Sequence, residues 1–124
     1  MTDSLQKQYY ETYGKTAQNE FFSPGRVNLI GEHIDYNGGL VMPCAITFGT
    51  YLLVSFNNDN ILRFRSLNFD EKAEIALQDG YKKTGEAWYN FPLGVADYFL
   101  RDGKKLQGLD FLFYIHRCKK FRHR

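Results

Sequence analysis

Cysteine is scarce in this chain, with Cys44 and Cys118 the only two among 124 residues. Two thiols so far apart make no framework of bridges, so both are expected free, in a reducing compartment. Long hydrophobic runs are missing as well: nothing approaches the roughly 18 apolar residues of a membrane span. The N-terminus MTDSLQKQYY lacks the basic-then-apolar pattern of a secretory leader. A cytoplasmic location and no membrane partner are therefore expected. No Gly-Lys-Ser/Thr phosphate loop occurs, and there are no internal repeats or long linkers. Acidic residues are absent from the last ten positions, which hold five Lys/Arg. That tail alone makes the formal charge +2, because residues 1 to 114 carry eleven basic and fourteen acidic groups, a net of −3. A short basic terminus is usually solvated, so no nucleic-acid partner is expected. His116, Cys118 and His123 match no common zinc spacing, and no metal site is expected there.

What the chain does contain is enough apolar side chain for one core, 44% hydrophobic and 17% aromatic. Leu5, Tyr9, Tyr10 and Tyr13 recur at helical spacing between candidate caps Asp3 or Ser4 and a closing Gly14. Phe21 and Phe22 lead into the next segment as a short strand. Leu40 to Ile46 and Thr47 to Asn57 are two β-rich runs, expected to break near Pro43. The polar turn Asn57-Asn58-Asp59-Asn60 then predicts a hairpin to Ile61–Ser66, with Arg63 and Arg65 on its wet face. A further alternating run spans Lys72 to Leu77. Trp88, Phe91, Val95, Tyr98 and Phe99 share one helical face, which predicts a helix from about Phe91 to Arg101 with Asn90 as its cap. Leu109 to Tyr114, apolar except for Asp110, reads as a buried strand.

The chemistry concentrates between Ser23 and Ile46, SPGRVNLIGEHIDYNGGLVMPCAI, a pattern that reads as strand, polar loop and second strand. Four glycines there permit tight turns, and Arg26, Glu32, His33 and Asp35 bring a cation, two carboxylates and an imidazole within ten positions. A guanidinium is always charged and can hold a phosphate or a neighbouring acid. Ionised carboxylates can each accept from a pair of hydroxyls, and imidazole can donate or accept, a set that suits a sugar. Ile34 would contribute backbone or packing. A metal would need an unusual loop to gather these ligands, and a merely solvated loop is the bland alternative. Asn28, Tyr36 and Asn37 are expected to brace the turns.

The run Pro24-Gly25-Arg26-Val27-Asn28-Leu29-Ile30-Gly31-Glu32-His33-Ile34-Asp35-Tyr36-Asn37-Gly38-Gly39 closely resembles the galactokinase signature. That family sits within the wider group of homoserine, mevalonate and phosphomevalonate kinases. The resemblance implies an α+β N-terminal kinase domain, a mixed sheet packed against a few helices. It also implies transfer of the γ-phosphoryl group of ATP to galactose, giving galactose 1-phosphate, with Mg²⁺ accompanying ATP. By the same resemblance Arg26 stabilises charge in transfer, and Glu32, His33, Ile34 and Asp35 contact galactose. Ser66 in RFRSLNF and Trp88 in EAWYNFPLGV resemble segments that line the nucleotide pocket, although a strand-end hydroxyl and a core aromatic remain open for them.

The family's Gly/Ser-rich phosphate loop would follow a strand like Leu109–Tyr114; here Ile115-His116-Arg117-Cys118 follows instead. The expectation is a galactokinase-like domain over 1–114, truncated before that loop, with a divergent basic tail over 115–124. A reading-frame change or premature stop after codon 114 would produce it. Galactose and ATP are the expected partners of a monomer with little or no kinase activity. A galactose-sensing regulator acting through a partner protein, or an inert fragment, are the other readings.

Overall fold

The structure is a computed structural model that describes residues 2–31 and 33–117. Cys118 and His123, on which the free-thiol and no-metal expectations partly rest, and most of the basic tail lie outside those residues, as does Glu32. Eight elements follow one another: α1 (Thr2–Tyr13), β1 (Asn19–Ile30), a 3-10 turn (Asp35–Asn37), β2 (Met42–Phe56), β3 (Ile61–Ser66), β4 (Ala73–Ala76), α2 (Asn90–Arg101) and β5 (Leu109–His116).

The five strands form one mixed sheet in the order β1-β2-β5-β3-β4. β5 pairs antiparallel to β2 and parallel to β3, so it lies between them. The expected hairpin from Thr47–Asn57 to Ile61–Ser66 therefore does not form. Its polar turn exists, but β5 occupies the slot, and β3 finds its antiparallel partner in β4. Leu109 to Tyr114 of β5 is apolar on both sides apart from Asp110, the pattern of a central strand.

Side chains alternate along each strand, and each helix takes one face of the sheet. Tyr9 and Leu5 of α1 pack on Leu53 and Leu112, with Tyr13, Tyr51 and Tyr114 around them. Tyr10, grouped with these tyrosines by spacing, is exposed instead. α1 starts at Thr2, so Asp3 and Ser4 sit inside its first turn rather than before it. Gly14 closes the helix with φ +71° and an amide bonded to the Tyr10 carbonyl at 2.7 Å. The opposite face joins Leu62, Phe64, Phe111 and Phe113 to Leu93, Trp88 and Tyr89.

The α2 helix forms over the expected span, but the face inferred from spacing is not the one it buries. Leu93 and Asp97 turn inward, whereas Phe91, Val95, Tyr98 and Phe99 stay exposed. Asn90 does not cap the helix either. Tyr89 takes that position without a side-chain bond, and the Asn90 amide instead ties the preceding loop through the Thr84 amide and the Thr84 and Gly85 carbonyls.

Two further departures bear on the site. Pro43 does not break the strand: β2 runs through it, because β5 pairs only with Gly49 to Phe56 and leaves one edge of β2 open at Pro43. Arg63 is not on a wet face. It reaches Asp110, which is 2% exposed, at 3.1 Å, and the same carboxylate accepts from Lys15 at 2.7 Å and Asn57 at 2.8 Å. Burial pushes the Asp110 carboxyl up, but the bonds from Lys15, Asn57 and Arg63 outweigh it and hold the group below the usual carboxylate range. The Tyr9 hydroxyl bonds Ser55 and the Asp110 carbonyl beside this cluster, pinning α1 to the sheet.

Candidate functional site

β1 and β2 form a long antiparallel ribbon whose distal half extends past the rest of the sheet. Asn19 to Pro24 pair with Val54 to Gly49, next to β5, while Arg26 to Ile30 pair with Ala45 to Met42, where β2 has no second neighbour. The register shifts between Pro24 and Arg26, which marks an irregularity at Gly25. A Cβ at Gly25 would stand 3.1 Å from the Phe48 carbonyl, so a larger residue would push the facing strand back by a few tenths of an ångström. Arg26 follows directly, exposed on the free part of the ribbon.

The ribbon is closed by the loop that carries His33, Ile34 and Asp35. Gly31 opens it with φ +91°, a left-handed turn that glycine adopts without cost. The Ile34 amide donates to the Gly31 carbonyl, and the Ile34 carbonyl accepts from both the Asn37 and Gly39 amides, at 3.0 and 2.9 Å. The Asn37 side chain also donates to the His33 carbonyl at 3.1 Å, so its expected bracing role is met. A Cβ at Gly39 would land on Cγ2 of Ile34. Ile34 thus packs against a bare backbone. The His33 ring meets Tyr36 edge-on at 6.3 Å, and both are exposed. Arg26, His33, Ile34 and Asp35 are therefore carried by one strand and the turn that follows it.

Ser66 and Trp88 stand elsewhere, on the α2 face of the sheet, but they share one cavity of ≈ 920 Å³. Phe69 lies almost parallel to the indole at 6.0 Å, and Phe113 meets it edge-on at 5.7 Å. The indole N–H donates to the Glu71 carbonyl, fixing the ring plane. Ser66 accepts from the Asn68 amide. Ser23 and Thr50, paired across β1 and β2, line the same cavity. Ser23 lies three residues before Arg26, so β1 connects the two regions. The role of Phe69 escaped sequence reasoning, since nothing in RFRSLNF distinguishes it from a loop aromatic.

Among the described residues no group of three or more His, Cys, Asp or Glu side chains could hold a metal ion. The described residues therefore offer no such group to a magnesium ion. No described helix is long and apolar enough to cross a membrane.

The comparisons with known proteins agree with this geometry. The galactokinase galactose-binding signature matches residues 7–56, which contain the ribbon and its loop. The galactokinase of Clostridium acetobutylicum is 47% identical over 113 residues, 89% of this chain and 29% of that protein. The structure of Lactococcus lactis galactokinase complexed with galactose superimposes with a TM-score of 0.85 at 36% identity, covering 95% of this chain and 31% of that one. A D-glycero-D-manno-heptose 1-phosphate kinase shares the fold, with a TM-score of 0.69 at 18% identity, covering 81% of this chain and 34% of its own. The fold is that of the N-terminal part of a superfamily of small-molecule kinases. Within it, the chain belongs to the galactokinase family, and it spans a little under a third of the length of the relatives it matches.

Proposed function

We propose that the chain is the sugar-binding portion of a galactokinase. In this reading galactose is held by the loop from Glu32 to Asp35, in which the carboxylates accept from hydroxyls, His33 adds a further polar contact and Ile34 packs the turn. The observation that carries it is the match of the galactose-binding signature to the strand-loop-strand ribbon, joined to the likeness to a galactokinase complexed with galactose.

Arg26, on the strand leading into that loop, is the residue we assign to charge stabilisation when a phosphoryl group is transferred to the sugar. The nucleotide base is assigned to the aromatic wall of Trp88 and Phe69, with Ser66 at its edge; flat rings of this kind suit stacking. ATP would supply the phosphoryl group in a complete enzyme. This sequence has no glycine-rich loop to cradle its phosphates and no fitting magnesium site among the described residues, so no step is assigned to a metal here. Little or no kinase activity follows for the chain alone. A cytoplasmic setting is part of the same reading.

Titration of the purified chain with galactose, followed by calorimetry, is expected to give saturable binding, while ATP and galactose together give no galactose 1-phosphate. Absence of any galactose binding would sink the site assignment, and turnover at an ordinary galactokinase rate would sink the inactivity. The loop backbone offers a second test. Gly39→Ala must displace Ile34, so galactose affinity is expected to fall about tenfold, equivalent to about 1.4 kcal/mol. Because this loop is exposed, the unfolding midpoint should barely move. An unchanged affinity would show that the loop does not depend on the Ile34 seat.

A further inference from the structure

We propose that Asn68 is a positioning residue for the cavity that takes the nucleotide base. Its side-chain amide fastens the segment carrying Phe69 to the end of β5, and so sets where that ring stands against Trp88. The inference rests on the reading of this cavity as the base site and deepens it. β3 stops at Ser66, opposite Phe113, yet β5 runs on to His116. On its other side β5 stays paired with β2, where Thr50 faces Ile115. Past Ser66, no strand among the described residues lies on the β3 side of β5.

Asn68 supplies what the strand does not. Leu67 makes the last backbone bond between the two segments, its amide donating to the Phe113 carbonyl at 3.0 Å. One residue on, the Asn68 side chain takes over. Its Nδ2 donates to the Ile115 carbonyl at 3.0 Å, and the Ile115 amide donates to its Oδ1 at 2.6 Å. A carboxamide offers a donor and an acceptor side by side, as a strand's backbone does, so one side chain satisfies both Ile115 groups. Without it, a donor and an acceptor on a half-buried stretch of strand would lose their partners. The Asn68 backbone amide also donates to Ser66 Oγ at 3.1 Å, which ties the bend to the end of β3.

What this tether holds is the aromatic side of the cavity. Ser66, Phe69, Trp88, Phe113 and Ile115 all line it, and Asn68 stands between the first two while bonding the last. Phe69 is the next residue, with its ring 14° from parallel to the indole, and Glu71 receives the indole N–H. Both contacts with Trp88 thus come from within three positions of Asn68. Between Ser66 and Ala73 the chain belongs to no strand, and Phe69 is 43% exposed, so little else fixes that ring. The packing of Leu62 and Phe64 beneath α2 does not depend on it. Stacking on a flat base needs a set ring position, and a displaced Phe69 gives it up.

Trp88 is the chain's only tryptophan, so its emission reports on the cavity directly. Adenosine titrated into the purified full chain is expected to change that emission saturably. In Asn68→Ala the adenosine affinity should fall at least about tenfold. Arg63→Leu, which weakens the fold through Asp110 at the other end of β3, should keep that affinity within about twofold of the parent. Hydrogen exchange on the unsubstituted chain should show the Ile115 amide protected, a result that needs no variant to fold. Parent-like adenosine binding in Asn68→Ala, an equal loss in both variants, or an unprotected Ile115 amide would overturn the proposal. No saturable response in the parent would instead overturn the base site itself. The emission of unliganded Trp88 then tests the tether, and it should shift in Asn68→Ala and not in Arg63→Leu; an unmoved emission rejects it.

Discussion

Replacing Asp35 with alanine is expected to weaken galactose binding at least about 100-fold, the loss of roughly 3 kcal/mol that charge-assisted bonds to a pair of hydroxyls would represent. The reasoning is chemical. A carboxylate accepts from two neighbouring hydroxyls at once, and alanine offers neither oxygen nor charge, leaving those hydroxyls to be desolvated without a partner. Calorimetric titration measures the effect, and thermal unfolding provides the control, because the 3-10 turn of Asp35–Asn37 is held by backbone bonds to Ile34 that the substitution leaves in place. Arg26→Ala makes the useful contrast. Assigned to charge developing during transfer, Arg26 should leave the galactose affinity within about threefold of the parent. If Asp35→Ala binds as well as the parent, the carboxylate does not contact the sugar.

The second large effect concerns stability. Arg63→Leu is expected to destabilise the chain by about 3 kcal/mol, the lower end of the range for breaking a buried ion pair, because Lys15 and Asn57 still reach the buried Asp110 carboxylate. Urea unfolding at neutral pH reads it directly. The pH dependence supplies a sign. The folded-state pKa of Asp110 lies below its ordinary value, so its contribution is present above the unfolded carboxyl pKa of about 4 and is lost as pH falls through the folded value. With Arg63 gone the carboxyl is less strongly held, and acid unfolding should begin at a higher pH than in the parent. A variant with unchanged urea midpoint and unchanged acid limb would show that the cluster contributes nothing net.

This cluster also shows where sequence reading stops. Alternation in Ile61–Ser66 correctly separates Leu62 and Phe64 from Arg63 and Arg65, but alternation identifies faces and says nothing of which strand lies alongside. The turn at Asn57–Asn60 favoured the nearest partner, whereas the largely apolar β5 had more to gain from a central slot. Once β5 sits there, Asp110 falls beside Arg63 in register, and two residues 47 apart become an ion pair. The α2 face was misjudged for a related reason. Spacing finds an apolar row, yet cannot tell a row buried against the sheet from one left exposed.

The loop between Gly31 and Gly39 was far more legible, because its geometry is local. Glycines at 31 and 39, the bracing Asn37 and the residues between them lie within nine positions, so the geometry that joins them is written in adjacent residues. The pairing of Ser66 with Trp88 across one cavity could be carried over only by resemblance. No periodicity links a strand end to a loop indole 22 residues later.

The insertion of β5 between β2 and β3 governs the order in which the molecule can form. Both neighbours are made first, and neither pairs with the other, so the sheet stays in two separate pieces until the last strand arrives. Contacts such as that of Tyr9 with Asp110, 101 residues apart, must wait for the same event. Loop closure over such separations is costly before any reward is collected, which predicts slow folding of high contact order. On the ribosome, the nascent ribbon with its loop would be exposed, edge strands open, until β5 has emerged. That interval is when the chain is most open to chaperones and most prone to pair wrongly with its neighbours.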